Sequence, residues 1–513
     1  MPTTIIDPIP RIEGHMKVTL TIDNTTNGTV TDAQMVGNMY RGFENFMIGQ
    51  EPLDAPLITQ RICGVCPVSH AVAAVTAMDV AAKVQPTPKG RLINNLIHGA
   101  EFLHSHILHS YTLNLQDYID MPSSTVLGAG TLNQGPWAPI YGGDRRPSLA
   151  DTNTLCAHYV AALTARRKAH TICAILGGKQ PHAASFIGGG NSATPSSSDI
   201  STMTSLLNDI KAFITGSYIP DMNLLFGPSG YYTSGSLPNY STIGAGSGKL
   251  LSYGVFPQGT DSVNTCLLKR GIYDGSSTVL IMDQNNIVED VLHAWYTGAD
   301  NLQPFNGVTN PIITPDAATP PSTPNPFPGK TGAYTWGKAP RYKTNGTTKD
   351  VYEVGPLARM VITGDYPAQF SVADRGLVRP LESLKVANAM LGWLTDLSGM
   401  LSEPSFISYD IPANGIAAGL TEAIRGALGH WVKYDSSKKI SHYQVITPTC
   451  WNASPLDADG VHGTIEQALI GTPVANAAQP IEAVRVIHSF DPCMACSIHV
   501  IRDDGKTISK FIV

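Results

Sequence analysis

The chain has 513 residues and a formal net charge of −6, and this acidic balance argues against nucleic acid as its main ligand. Hydrophobic residues make up 42% of the sequence, which is enough for an extensive core, and only 14% are charged, against about 25% in a typical soluble domain. The low charge favours a surface that a partner covers, or a protein that works outside the cytoplasm. No run of about 20 apolar residues is present, so no membrane span is expected.

The N-terminal region predicts one strand and offers two single carboxylates. Residues 1–7 lack a basic stretch followed by an apolar one, so we expect no signal peptide, and export would need a partner that carries one. Residues 16–22 alternate in polarity, which predicts a strand. Taken alone, Glu13 reads as a surface ion pair with the nearby Arg11, and Glu44 as a solvated side chain.

Cys63 and Cys66 form the first of two CxxC pairs. Pro67 suits the first position of a helix, where its missing N–H would have no partner anyway. Cys66 would then sit at the helix N-terminus, where the dipole favours a thiolate. His70 follows one turn later on the same side. The alternative is a structural cysteine pair beside a core histidine.

Long helices dominate the predicted architecture. The longest runs from Pro86 to about Asp120 and carries four histidines that we expect to pack in the core. Further helices are predicted at 151–176, 198–215 and 380–402, and strands at 443–447 and 483–490. Residues 230–277 favour short strands, and 303–330, rich in Pro, Thr and Asn, favour a surface loop that leaves and rejoins one large domain.

Cys493 and Cys496 form the second pair, more than four hundred residues after the first. Asp491 resembles an N-cap and Pro492 a first helical residue, with His499 further along. The remaining cysteines are scattered singly, which fits neither a disulfide framework nor conventional iron–sulfur clusters.

Two CxxC pairs are a strong signal for a metal site. From the residues alone, structural zinc and a redox metal such as nickel or iron both remain open. A redox metal would need tuned surroundings. The candidates for those surroundings are His70, Arg425, Thr449 and Asp491.

Seven stretches, two of which contain the CxxC pairs, decide between these two kinds of metal site. They are RIEGH (11–15), RGFE (41–44), RICGVC (61–66), KAPRY (338–342), EVGPLAR (353–359), RGALGHW (425–431) and SFDPCMACSIH (489–499). In this order and context the sequence resembles the large subunit of a [NiFe] hydrogenase over nearly its whole length. The expected fold is α+β and mainly α: one large domain, residues 1–499, around a bundle of long helices with short peripheral sheets.

The resemblance implies a nickel–iron site. Cys63 and Cys493 would be terminal thiolates on nickel, while Cys66 and Cys496 would bridge nickel to an iron that carries CO and two cyanides. Arg425 and Thr449 would donate hydrogen bonds to cyanide nitrogen, and Pro448 would pack against these ligands. Asp117 and Asp491 correspond to acidic residues near the metals.

The resemblance also implies a mechanism and a second metal. H2 would be split reversibly and heterolytically, with the Cys493 thiolate taking the proton, Arg425 giving electrostatic support and Glu13 relaying the proton outward. A small subunit with iron–sulfur clusters would take the electrons. A buried Mg²⁺ would bind Glu44, His499 and the carbonyl of Val445.

The last fourteen residues, 500–513, resemble a maturation peptide that an endopeptidase removes after His499. This tail counts against the alternative function, a regulatory H2-sensing hydrogenase of the same fold, because such members usually lack it. Ile424 stands where the family commonly has Pro, which leaves the ligands intact. The low charge and the tail favour an exported, periplasmic or membrane-associated protein, with a cytoplasmic one as the alternative.

Overall fold

The computed structural model of the chain describes residues 3–23, 28–126, 143–235, 238–259, 265–276, 278–312 and 330–497, with only the backbone of Cys496 and Ser497. Helices account for 42% of it and strands for 20%, which confirms the predicted mainly α, α+β class. None of the described helices combines the length and apolarity that a bilayer crossing requires.

Thirteen α-helices lie in the described residues. They are α1 Phe43–Phe46, α2 Ala55–Thr59, α3 Pro67–Ala82, α4 Pro88–Ile107, α5 Leu149–Gly177, α6 Ser197–Phe213, α7 Ile219–Phe226, α8 Pro356–Thr363, α9 Val372–Ser398, α10 Pro448–Asn452, α11 Thr464–Leu469, α12 Ile481–Ser489 and α13 Met494–Ser497. Two of them continue into π-helical turns, α4 at Leu108–Asn114 and α6 at Ile214–Tyr218.

The long helices form the predicted bundle. α4 packs between α5 and α9, and α6 joins α5 and α9. Side-chain caps fix where these helices begin: Thr87 accepts from the N–H of Gly90, and Ser148 accepts from the N–H of Asp151. As expected, the four histidines of α4 and its π-helical extension (His98, His104, His106 and His109) are all buried.

Fifteen short strands form six small antiparallel sheets in the described part of the chain. They are β1 Thr3–Ile6, β2 Met16–Asp23, β3 Thr29–Gly37, β4 Phe186–Ile187, β5 Gly190–Asn191, β6 Leu250–Pro257, β7 Cys266–Tyr273, β8 Ile287–Asp290, β9 Tyr296–Thr297, β10 Asn310–Pro311, β11 Ala339–Thr344, β12 Thr348–Asp350, β13 Ile416–Ala423, β14 Gly426–Tyr434 and β15 Ile440–Ile446. The three-stranded sheets have the orders β1-β2-β3, β12-β11-β8 and β13-β14-β15, and the pairs are β4-β5, β6-β7 and β9-β10.

The β13-β14-β15 sheet matters most for the site. Its first strand lies directly on α3, the helix that follows the first CxxC pair. The register pairs Ala423 with Gly426, so Ile424 and Arg425 form the two-residue turn between β13 and β14. Helix α3 and the Arg425 turn are therefore parts of one packed unit.

Two predicted elements differ from the structure. The strand predicted at 483–490 is wrong, because these residues belong to helix α12. Every residue of α12 is buried, and its polar residues Glu482, Arg485 and His488 recur at helical spacing. The strand prediction gave more weight to the β-branched residues between them. The helix predicted at 380–402 begins earlier, at Val372, and carries Pro380 within it.

Gly419 of β13 allows the close approach of α3. A Cβ atom at this position would lie 1.9 Å from the carbonyl oxygen of Ala73 and 2.6 Å from the N atom of Ala77. Both are backbone atoms of α3, so neither can move aside alone. The sheet and the helix can therefore meet at this distance only because residue 419 has no side chain.

We expect Gly419→Ala to lower the free energy of unfolding by about 3 kcal/mol, because an overpacked contact forces the helix and sheet apart. Gly392→Ala is the matched control. Its Cβ would have no atom within 4 Å, and an exposed helical alanine stabilises by roughly 0.5–1 kcal/mol relative to glycine. Denaturant unfolding of both variants tests this, and equal stabilities would contradict the packing interpretation.

Candidate metal centre

Three of the four predicted cysteine ligands meet in the interior. The sulfur atoms of Cys63, Cys66 and Cys493 all lie within 4.8 Å of one another, and all three side chains are buried. The Sγ atoms of Cys63 and Cys493 are 3.3 Å apart, too far for a disulfide bond of about 2.05 Å. Cys496 lies in α13, but its side chain is outside the described atoms.

The first pair is shaped by the start of α3. Cys63 is extended, and Cys66 is the N-cap of α3 with Pro67 at the first helical position, as predicted. The N–H groups of Val65 and Cys66 point at the sulfur of Cys63, at 3.3 and 3.4 Å. These donors and the positive end of the helix stabilise a thiolate.

Glu101 of α4 binds the first turn of α3 through hydrogen bonds. Its carboxylate accepts hydrogen bonds from the N–H groups of Val68 (2.7 Å) and Ser69 (3.0 Å) and from the Ser69 hydroxyl (2.6 Å). Burial raises the pKa of Glu101 to about 8. No local pattern predicts this contact, because a single carboxylate in a histidine-rich helix does not indicate its distant partner.

The second pair lies against the N-terminal segment. Cys493 and Glu13 form a parallel β-bridge, and the N–H of Met494 donates to the carbonyl of Glu13 at 2.8 Å. The prediction of Asp491 as N-cap and Pro492 as first helical residue is wrong: α13 begins at Met494, and Asp491 has a φ of 55°. The bridge to Glu13 keeps Cys493 extended and delays the helix.

Glu13 faces the sulfur atoms. Its Oε2 accepts from the Cys493 thiol at 3.2 Å and from the N–H of Ala495 at 2.9 Å. Burial raises the pKa of Glu13, as does the nearby charge of Cys63, against the lowering effect of these hydrogen bonds. The predicted surface ion pair with Arg11 is wrong, since Arg11 donates to Asp117 and to the carbonyl of Leu113 instead.

Arg425 brings a buried positive charge to the site. Its Nε donates to the carbonyl of Asp491 at 2.8 Å and its Nη2 to the Asp491 carboxylate at 3.0 Å. Burial works to lower the pKa of Arg425, but the charges of Asp491 and of the three cysteines hold it well above its usual range. The buried Nη1 has no hydrogen-bond partner within the described residues.

Thr449 and His70 complete the surroundings of the cysteines. Pro448 and Thr449 begin α10, and the Thr449 hydroxyl accepts from the N–H of Cys493 at 3.0 Å, which leaves its own proton to donate. His70 Nδ1 lies 3.2 Å from Nε2 of His430, whose Nδ1 lies 2.8 Å from the Tyr443 hydroxyl. Burial lowers the pKa of His70 to about 4, so this ring is neutral at neutral pH.

Asp117 belongs to a different buried group. Its carboxylate accepts from Arg11 and from Nδ1 of His488. Burial alone would raise the pKa of Asp117, but these two partners hold it well below its usual range. No described hydrogen bond joins Asp117 to the three sulfur atoms.

Glu44 and Val445, two of the predicted magnesium ligands, are neighbours. Glu44 Oε1 accepts from the N–H of Val445 at 2.9 Å, and Oε2 accepts from the Thr309 hydroxyl and, at 3.4 Å, from Lys338. Burial works to lower the pKa of Lys338, but the charges of Glu44 and Glu289 raise it overall. The third predicted ligand, His499, lies outside the described residues.

Arg41 connects the two cysteine segments, which sequence reasoning missed. Its Nη2 donates to the carbonyl of Ala495 at 2.9 Å and to that of Ile62, the residue before Cys63. One guanidinium thus links two backbone segments more than four hundred residues apart. The only sequence signal for Arg41 is its place in the RGFE stretch, beside Glu44.

The donors suit a soft or redox metal. Thiolates select metals such as zinc, nickel and iron, and two sulfurs 3.3 Å apart can both lie at the usual metal–sulfur distance of about 2.3 Å. A structural zinc site needs no further partner. The unpartnered Nη1 of Arg425 is a buried donor that favours an additional acceptor beside the sulfurs. The residues therefore fit a nickel–iron group that carries hydrogen-bond acceptors.

Comparisons with known proteins agree with this geometry. The family model for nickel-dependent hydrogenases matches residues 41–132, 125–367 and 365–499, and a HoxL-like model matches residues 3–36. The periplasmic [NiFeSe] hydrogenase large subunit of Desulfomicrobium baculatum is 34% identical, over 97% of this chain and 94% of that protein. The uptake hydrogenase large subunit of Bradyrhizobium diazoefficiens is 31% identical, over 99% and 96% of the two chains.

The fold agrees as well. The reduced Ni-Fe-Se hydrogenase of Desulfovibrio vulgaris Hildenborough matches with a TM-score of 0.85 and 32% identity, covering 97% of this chain and 100% of that one. The H2-activated [NiFeSe] hydrogenase of Desulfomicrobium baculatum gives 0.84 and 33%, with the same coverage. By family, fold and cysteine geometry, the chain belongs to the nickel-dependent hydrogenases, as a catalytic large subunit that acts on H2.

Proposed function

We propose that this chain splits H2 reversibly and heterolytically at a nickel–iron site held by Cys63, Cys66, Cys493 and Cys496. The observation that carries the proposal is the burial of three of these sulfurs, from both ends of the chain, within 4.8 Å of one another. All four positions are cysteine in this sequence, so the ligands are sulfur only. When bound, nickel with an iron carrying CO and two cyanides supplies a Lewis-acidic, redox-active centre for the electron pair of H2.

The side chains around the sulfurs accept the proton of H2 and transfer it outward. Heterolytic splitting needs a base, and the Cys493 sulfur lies 3.2 Å from Glu13 Oε2, within reach for direct transfer. Cys493 takes the proton first and Glu13 passes it outward. Arg425 stays charged, because surrounding negative charges hold its pKa well above the usual range, so it acts by electrostatics and not as the base.

Polar and apolar groups would hold the diatomic ligands of iron. Arg425 Nη1 and the Thr449 hydroxyl each have a donor to offer, and Pro448, next to Thr449, offers an apolar surface. Burial of Asp491 raises its pKa, although Arg425 and Arg379 oppose this rise. We propose that Asp491 orients Arg425. We propose that His70 is a neutral residue in the surroundings of the cysteines.

We further propose the Mg²⁺ site at Glu44, the carbonyl of Val445 and His499. Two of these ligands, the Glu44 carboxylate and the Val445 carbonyl, offer oxygen, which suits magnesium. The hydrogen bond from the Val445 N–H to buried Glu44 supports the assignment. Lys338 donates to the same carboxylate, so the ion would share the charge of Glu44 with it. Asp117 pairs with Arg11 and His488, so it would influence the metals through these partners and not through a hydrogen bond to the sulfurs.

The electrons must leave through a partner. The cysteine site is the only group of three or more potential metal ligands among the described side chains, so no iron–sulfur cluster site is found there. We propose a small subunit with iron–sulfur clusters as the partner. The segment that leads to Cys63 supports a docking face for this subunit, because it exposes four large apolar side chains. They are Phe46, Ile48, Leu53 and Leu57.

Processing and location complete the proposal. Residues 1–499 would form one domain, which the shared core from Ile6 to Met494 supports. Residues 500–513 would be removed after His499 by a maturation endopeptidase. Export by a partner, to a periplasmic or membrane-associated position, agrees with the low charge and with the periplasmic relative, and a cytoplasmic position is the alternative.

Metal analysis and infrared spectroscopy of the isolated enzyme test the site. We expect one nickel with iron, and bands from CO and cyanide. Cys493→Ser should lower nickel affinity by more than about 100-fold and abolish H2 oxidation, because it replaces a soft ligand. Cys173→Ser, at a buried cysteine outside the cluster, should change neither. Zinc alone in the unaltered protein would refute the proposal.

Glu13→Gln should slow H2/D2 proton exchange at least about 100-fold, because an amide cannot accept and release the proton. Nickel and iron contents should not change. The control is Glu482→Gln, at another buried carboxyl group that bonds only a backbone N–H and lies outside the cysteine cluster. Isotope exchange at the wild-type rate in Glu13→Gln would exclude Glu13 as the relay.

The mature enzyme should end at His499. Intact-mass measurement of the nickel-loaded protein should show the loss of residues 500–513, whereas nickel-free protein should retain them. Removal would make His499 the C-terminal residue, ready to bind the proposed Mg²⁺. A nickel-loaded, active protein that still contains residues 511–513 would contradict the proposed processing.

A further inference from the structure

Arg359 of α8 belongs to the EVGPLAR stretch, which has no role in the proposed function so far. Its side chain is completely buried, and its guanidinium reaches the β13–β14 turn. Nη1 donates to the carbonyl of Ala423 at 2.9 Å, and Nη2 donates to that of Ile424 at 2.7 Å. These are the two residues directly before Arg425.

Two buried carboxylates complete the contacts of Arg359. Glu382 of α9 accepts from Nε and Nη2, both at 2.7 Å, and Glu422 of β13 accepts from Nη1 at 2.9 Å. The five N–H bonds of the guanidinium therefore meet five acceptors. A planar fork with five fixed donors is a property of arginine alone, and a lysine ammonium has only three.

The same turn also packs closely against the start of α8. The carbonyl oxygen of Arg425 lies 3.0 Å from where a Cβ of Gly355 would be, just before α8. A Cβ at Gly426, whose φ is 134°, would come within 2.7 Å of the N atom of Gly355. The backbone at Arg425 thus rests on the start of α8, while Arg359 holds the two preceding carbonyl groups.

We propose that Arg359 is a positioning residue that fixes the β13–β14 turn and thereby directs the guanidinium of Arg425 to the metal centre. Arg425 itself makes only two hydrogen bonds with the described residues, both to Asp491, and its Nη1 has none. Asp491 holds the outer end of the Arg425 side chain, so the direction of the guanidinium also depends on where the turn places the backbone of Arg425. This inference rests on the proposed function, which assigns Arg425 to the active site.

Arg341 provides a matched comparison. It is equally buried, pairs with Asp457 at 2.8 Å, and donates to the Ser454 hydroxyl and to the carbonyl groups of Pro340, Pro455 and Val461. None of these partners belongs to the Arg425 turn or to the cysteine cluster. If Arg359 merely neutralises buried charge, substitutions at 359 and 341 should have the same consequences.

The test compares Arg359→Lys with Arg341→Lys in the enzyme as isolated, by hydrogen–deuterium exchange and H2-oxidation kinetics. In Arg359→Lys we expect amides of residues 421–428 to exchange about tenfold faster or more, because charge-assisted hydrogen bonds to the turn are lost. The kcat should fall about 10- to 100-fold with the KM for H2 unchanged, because the guanidinium of Arg425 would no longer be held in its correct direction. In Arg341→Lys the exchange of 421–428 and the kcat should match the unaltered enzyme.

Unchanged exchange and kcat in Arg359→Lys, or equal changes in both variants, would overturn the proposal. Should Arg359→Lys not fold, Glu382→Gln disturbs the same guanidinium from α9. The amide NH2 of the glutamine would face an N–H donor of Arg359, and two donors cannot form a hydrogen bond. It should reproduce faster exchange at 421–428 and a lower kcat, and wild-type values for both would overturn the proposal.

Arg425→Lys distinguishes a failure of the proposed function from a failure of the positioning role of Arg359. We expect its kcat to fall while residues 421–428 keep the exchange of the unaltered enzyme, because the turn itself is intact. Full activity in Arg425→Lys would remove Arg425 from the proposed active site, whereas the exchange data for Arg359→Lys would still show whether Arg359 fixes the turn.

Discussion

The negative charge of buried cysteine sulfur is the constraint on which the rest of the structure depends. Three sulfurs lie within 4.8 Å of one another in the interior, where uncompensated charge is costly. The compensation comes from backbone N–H groups at the first pair, from Arg425 beside the second, and from Arg41, which spans both segments. The two ends of the chain are therefore joined by electrostatics as well as by the backbone pairing of Glu13 with Cys493.

Helix α9 stabilises the second cysteine segment and the Arg425 turn. Arg375 lies over the ring of Phe490 at 3.7 Å, and Arg379 donates to the carbonyl of Ser489 at 2.6 Å, just before the second cysteine pair. Glu382, about one turn further along, binds Arg359 behind the Arg425 turn. One helix thus supports both the C-terminal cysteine segment and the turn that carries Arg425. Such buried ionic contacts favour a single arrangement over nearby alternatives, which a metal centre with fixed geometry requires.

Local chemistry predicted the local features well. Proline after Cys66 indicated a helix start, and the structure has Cys66 as the N-cap of α3. The helices predicted at 151–176 and 198–215 are present as α5 and α6, with bounds that differ by one or two residues. The strand prediction for residues 483–490 was wrong because it relied on β-branched residues and did not use the helical spacing of Glu482, Arg485 and His488. At Asp491 the local N-cap pattern was overruled by a strand-like contact of Cys493 with a segment 480 residues away.

The sequence by itself determined the kind of chemistry: four thiolates in two pairs, a carboxylate in RIEGH, and an arginine at the start of RGALGHW. Only the tertiary structure decided which partners these groups have. Glu13 faces Cys493 and not Arg11, Arg11 pairs with Asp117, and Arg359 reaches the carbonyl groups before Arg425. Residue types and short spacings follow from covalent sequence, whereas contacts between distant segments depend on how helices and sheets pack, and no local pattern encodes that packing.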